Sequence, residues 1–153
     1  MRFVAVMALC SLTTLIPVPP AHASGIDDKI ADPQELAALE SKASLAGPRE
    51  QCFLYAEVVH QMTELAGRQL SAGDFEHATS TLKIVRTYVD KIHMGMANDT
   101  KRLKNAEILV RHTAFRLQEL LSNAGVDDKP TVQATLTQLD SVQSELMQQV
   151  FKH

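Results

Sequence analysis

Residues 74–122 read DFEHATSTLKIVRTYVDKIHMGMANDTKRLKNAEILVRHTAFRLQELLS. Steps of four and three residues link Ala78, Leu82, Val85, Val89, Ile92, Met96, Leu103, Ala106, Val110, Leu117 and Leu120, with Asp99 and Thr113 filling the two remaining slots. Such alternation is the seam of a coiled coil, because it keeps one stripe of a helix facing a neighbour. The seam holds its phase across Gly95 and Asn98, so it predicts one long helix over residues 74–122, about 73 Å in length at a rise of about 1.5 Å per residue. Gly95, Asn98 and the acid in the seam, Asp99, argue the other way and fit a turn near 95–99. Either way the chain is all-α. The expectation is an antiparallel helical bundle built on a long central helix, and the alternative is a compact up-down four-helix bundle.

Outward from this stretch, the flanking segments are also helical. Before it, Tyr55, Val58, Met62, Leu65, Ala66 and Gln69 share one face of a helix over residues 48–72, with Glu57, Gln61, Glu64 and Arg68 on the opposite, solvated face. Gly73 ends that helix and Asp74 caps the next, a connection short enough to force an antiparallel hairpin. Further upstream, Asp32-Pro33-Gln34-Glu35 places an acceptor at the N-cap, Pro at the first position and Glu at the third, which starts a short helix over 33–46 that packs as a flap. Gly47-Pro48 stops it. Downstream, Asn123-Ala124-Gly125 closes the long run. Asp127-Asp128-Lys129-Pro130 then opens a last helix over 128–151 with its core stripe on Val132, Leu136, Leu139, Val142, Leu146 and Val150. Residues 32–153 thus form a single helical domain.

The N-terminus carries a different signal. Met1-Arg2, an apolar run from Phe3 to Ile16, a Pro-rich stretch and Ala21-His22-Ala23 make a secretory signal peptide over residues 1–23, cleaved after Ala23, followed by a flexible lead over 24–31. The mature protein is therefore expected outside the cytoplasm, periplasmic or secreted. Cys10 follows Leu9, whereas a lipoprotein site wants a small residue there, and no later stretch is long and apolar enough to span a membrane. The formal charge of −3 becomes −4 once Arg2 leaves with the leader, which predicts no general attraction to nucleic acid. Cys10 leaves too, so Cys52 has no partner for an intrachain disulfide. At the edge of the core stripe it reads as a small buried hydrophobe; exposed, it would cross-link two chains.

Few residues invite chemistry. Glu57-Val58-Val59-His60 has the spacing of a carboxylate-bundle metal ligand pair, and Asp90-Lys91-Ile92-His93 repeats it with the shorter acid. Both fall to a solvated-face reading, since Glu57 and His60 lie opposite the core stripe. His93-Met94-Gly95-Met96 offers imidazole and thioether groups suited to Cu(I), and these converge only if the chain turns at Gly95. His93, Met94 and Met96 are therefore the weak metal candidates, with His60 or His112 as additions, and copper or iron handling is the alternative function. No Cys-x-x-Cys-His is present for covalent haem, and no cofactor is expected. No Ser/His/Asp order, nucleophile elbow, Gly-rich phosphate loop or inward pair of carboxylates supports catalysis.

The segment Leu65 to Val85, with Gly73-Asp74-Phe75-Glu76 at its turn and Ala78 and Leu82 beyond, resembles the helix-turn-helix of a tetratricopeptide repeat. A solenoid needs about three copies, so the resemblance implies one helical hairpin. Known periplasmic helical chaperones share this class of architecture, and some carry Leu-Thr-x-x-Gln; here Leu136-Thr137-Gln138-Leu139 is followed by Asp140. Charge is segregated: residues 83–116 hold eight bases and three acids. Arg86, Lys104 and Arg111 share a face with Ile108 and Phe115 and form a candidate docking face, basic with apolar insertions. These features lead to the expectation of an exported, non-enzymatic helical protein that acts by contact with a protein partner or by self-association, as an adaptor, an envelope-stress factor or a small chaperone.

Overall fold

A computed structural model describes residues 32–96 and 102–152. It contains five helices and, among the described residues, no strand: α1 (Pro33–Leu45), α2 (Pro48–Ser71), α3 (Phe75–Gly95), α4 (Leu103–Asn123) and α5 (Lys129–Phe151). The expected signal peptide over 1–23, the lead at 24–31, Cys10 and Asp99 lie outside the described residues. The local punctuation is where the sequence puts it. Asp32 and Glu35 form a capping box at the start of α1, and Pro33 and Pro48 occupy first turns. At the end of α2, Gly73 adopts φ of +76°. The Gly73 N–H donates to the Leu70 carbonyl, and the Asp74 N–H to that of Gln69. This is a Schellman closure, which a left-handed glycine permits. Asp74 then caps α3 by accepting from the His77 N–H.

The long central helix over 74–122 is replaced by α3 and α4, as in the compact alternative. The physical reason lies in the counting. Met96, the seam residue that caps the end of α3, and Leu103, the first of α4, stand seven residues apart. Seven residues is one heptad whether the chain continues or reverses. The seam residues themselves are core: Ala78, Leu82, Val85, Val89, Ile92, Met96, Leu103, Ala106, Val110, Thr113 and Leu117 are all buried.

Side-chain bonds fix the direction of each helix. Across α2 and α4, His60 meets Thr113 and Glu64 meets Arg116; across α3 and α5, Arg86 meets Gln138 and His93 meets Glu145. In both seams the residue number rises together on the two helices, so these neighbours run parallel. From α2 onward consecutive helices are antiparallel, as Thr81 bonding back to Gln69 shows for α2 and α3. Helix α2 packs on α3, α3 on α5, α5 on α4 and α4 on α2, while α1 lies on α2. The ring order is thus α2, α3, α5, α4, with α3 and α4 across a diagonal.

Helix α2 is enclosed by three neighbours, and this changes its reading. Cys52, Leu54, Val58, Val59 and Ala66 are covered almost completely, and Thr63, Glu64 and His60, from the face expected to be solvated or next to it, are buried as well. Glycine lets two neighbours in close. A Cβ built on Gly95 of α3 would stand 3.4 Å from the Cys52 backbone, and one on Gly67 of α2 would stand 3.2 Å from Leu120 Cδ2 of α4. On the outer side, α1 delivers Leu36 and Ala43 to the core with Leu39 packed against it. Burial, and after it the charge of the Glu40 carboxylate on α1, raises the pKa of the Tyr88 hydroxyl on α3. There the Tyr55 and Tyr88 rings sit 5.9 Å apart beneath the Lys91 ammonium.

A branched side chain at position 67 has to push Leu120 away. Gly67→Val is expected to lower stability by about 1–3 kcal/mol, the usual cost of overpacking. Gly67→Ala should stay within about 1 kcal/mol of wild type, because the Leu120 tip can yield and alanine favours the helix. Urea denaturation of the two variants separates these outcomes.

Candidate functional site

Four of the five expected docking residues come together. Lys104, Ile108 and Arg111 of α4 line a groove of about 480 Å³ with Glu107 and with Met147, Val150 and Phe151 of α5. A second, smaller depression of about 270 Å³ adjoins it at Arg111, lined by Ala114, Phe115 and Gln118 of α4 and by Leu136, Asp140 and Gln143 of α5. The fifth residue, Arg86, lies on the other side of α5, where its guanidinium donates to Gln138 at 3.0 Å. Gln138 in turn donates to the Arg86 carbonyl and to Asp90.

The groove leaves large apolar side chains in solvent: Phe115 is 59% and Phe151 82% exposed, and Met147 is exposed as well. An α5 surface drawn only from its core stripe misses Met147 and Phe151. Their signal was a second row, Asp140, Gln143, Met147 and Phe151, at helical spacing beside the first. On the rim, Lys104 and Arg111 stand two turns apart on α4. Glu107 between them is only 8% exposed, its Oε1 has no hydrogen-bond partner, and Arg111 reaches it only at 3.8 Å. At the other end, burial holds the Asp140 carboxyl above the ordinary range.

A second polar feature is buried between α2 and α4. Thr113 donates its hydroxyl to the Leu109 carbonyl, so its oxygen accepts from His60 Nδ1 at 3.1 Å, which places a proton on that nitrogen. The His60 and His112 rings meet edge to face with centroids 5.3 Å apart. One turn along, Arg116 grips Glu64 with two bonds of 2.8 and 3.0 Å and also holds Glu119. Burial pushes the Glu64 carboxyl up, but the Arg116 hydrogen bonds and charge, aided by His60 and His112, outweigh it and hold the group below 4.5. At Glu57, half-buried, burial wins over the fields of Arg102 and Lys42 and raises the pKa. The solvated-face reading of Glu57, His60 and Glu64 is therefore corrected: α4 covers much of that face, and amphipathicity taken from one helix alone cannot see a third neighbour.

The metal candidates stand in three environments. His93 bonds Glu145, Met94 is exposed and Met96 is in the core. Among the described residues no group of three or more His, Cys, Asp or Glu side chains could hold a metal ion. Cys52 is fully buried. No described helix is long and apolar enough to cross a membrane. The class these features define is an all-α helical bundle with an open apolar groove on one face. The chain matches no protein-family model, no curated protein and no solved structure.

The lowered Glu64 carboxyl contributes stability that is complete above its unfolded value and is lost as pH falls through the folded one. Glu64→Gln is expected to cost about 2 kcal/mol near neutral pH, where it leaves Arg116 half-served. The difference from wild type should shrink as the pH drops below about 4. Urea denaturation at both pH values is the check.

Proposed function

We propose that this chain is an exported, non-enzymatic helical protein that works by protein contact, with the α4/α5 groove as its docking surface. The observation that carries this reading is the exposure of Phe115, Met147 and Phe151 along one α4/α5 face, in two adjoining depressions that meet at Arg111. Large apolar groups gathered on a surface and ringed by charge mark interaction sites. Aromatic and arginine side chains are also those that most often dominate binding energy. The export part of the reading rests on the N-terminal run from Met1 to Ala23. Copper handling has less support, because His93, Met94 and Met96 do not converge.

The test is co-purification from the exported fraction with a tagged chain. Phe115→Ser combined with Phe151→Ser is expected to reduce the recovered partner at least about tenfold, the effect of losing about 1.4 kcal/mol, while leaving the melting temperature unchanged. Leu45→Ser, on the exposed end of α1, is the control and should recover the partner fully. Equal recovery by all three proteins overturns the groove as docking surface.

A further inference from the structure

We infer that α1 is a flap that swings off α2 as a unit about Ala46 and Gly47 while the ring of α2, α3, α5 and α4 stays folded, and that its opening uncovers Leu54.

Leu54 points away from the ring. Along α2, Cys52 lies against Gly95 of α3 and Gln69 bonds Thr81 of α3, whereas His60, Glu64 and Gly67 meet Thr113, Arg116 and Leu120 of α4. Ala56 and Thr63 fall between these two sets and face the middle of the ring. Leu54 precedes them by two and by nine residues, which at about 3.6 residues per turn puts it on the opposite side of the helix. A side chain there would stand in water, yet Leu54 is 1% exposed and belongs to the core. With α3 and α4 on their own sides and α5 across the ring, α1 is the element that covers it, through the stripe of Leu36, Leu39 and Ala43.

The hold of α1 is slight beside that of the ring. Each ring helix buries six or more side chains, whereas α1 buries Leu36 and Ala43. The ring is also cross-tied, by Thr81 to Gln69, Glu64 to Arg116 and Arg86 to Gln138. At thirteen residues α1 has about the length at which an isolated helix is marginal in water, so the patch it covers is what keeps it ordered.

The tether is short and uncrowded. Ala46 and Gly47 are both extended, with ψ of 152° and 157°. Helix α2 starts firmly behind them, since the Glu50 and Gln51 N–H groups donate to the Gly47 carbonyl. A Cβ built on Gly47 meets nothing within 4 Å, and Leu45, at the end of α1, is 83% exposed. Rotation at this joint displaces no packed side chain of the ring. Elements with few buried apolar contacts are those that open below the cost of global unfolding. Opened, the chain shows two apolar strips that are dry when closed, the underside of α1 and Leu54 with Val58 one turn on.

Two measurements test the flap. In the first, thiol labelling is followed in urea below the unfolding transition for two full-length proteins that both carry Cys10→Ser. One keeps Cys52, buried on the α3 side; the other carries Cys52→Ala and Leu54→Cys. The thiol at 54 is expected to react at least about tenfold faster than Cys52, and Leu36→Ala to speed it at least about tenfold further while leaving Cys52 unchanged. Equal rates at the two positions, or a rise at both with Leu36→Ala, would make α1 part of one cooperative unit and overturn the inference. No rise at 54 would mean that α1 is not its cover, which also overturns it. The second measurement, hydrogen exchange of the unsubstituted chain, needs no variant to fold. Amides from Leu36 to Leu45 are expected to share one protection, at least about tenfold below that of the buried amides of α2. Protection equal to that of α2, or graded from the Pro33 end as fraying gives, overturns the flap.

Discussion

Helix α2 has neighbours on three sides, and two of them approach it over glycine. Gly95 brings the end of α3 against the Cys52 backbone, and Gly67 receives Leu120 of α4. With α1 on the third side, little of α2 faces water, and its polar groups are buried along with its apolar ones. That enclosure accounts for the chemistry of the α2/α4 seam. His60 takes its hydroxyl partner from Thr113, and Glu64 takes its counter-ion from Arg116. A buried carboxylate without such a partner would cost several kcal/mol, so the seam holds α4 in both position and rotation.

Much of this was legible in the residues, and the limits are physical. Caps and stops were, because they act over four or five residues: Asp32 with Glu35, Gly73 with φ of +76°, and Asp74 ahead of α3. The core was legible as a stripe, since burial follows helical spacing. Whether the stripe continued as one rod was not, because a heptad count survives a reversal. The buried polar residues of α2 were not either, because amphipathicity assumes a helix with one covered face. Of the groove, the α4 half was visible as basic residues interleaved with Ile108 and Phe115; the α5 half needed the knowledge that Met147 and Phe151 stand opposite.

The charge segregation of the sequence resolves into two uses. Part of the basic excess between residues 83 and 116 is spent internally, with Arg116 on Glu64 and Glu119 and Arg102 over the Phe53 ring and near Glu57. Lys104 and Arg111 instead rim the groove. Arg111 also pairs at 3.8 Å with Glu107, whose carboxyl is buried while the guanidinium stays exposed.

The two parallel seams share one offset. Glu64 meets Arg116 and Arg86 meets Gln138, each pair 52 residues apart. Each hairpin is built from contacts close in sequence and can form early, since local pairing closes small loops. Joining them is the single step that closes a large one. Sliding one hairpin along the other by a turn would break both seams at once, so no half-correct docking retains either set of bonds. The two halves therefore find one alignment or none, which gives the bundle an all-or-none route to its final register.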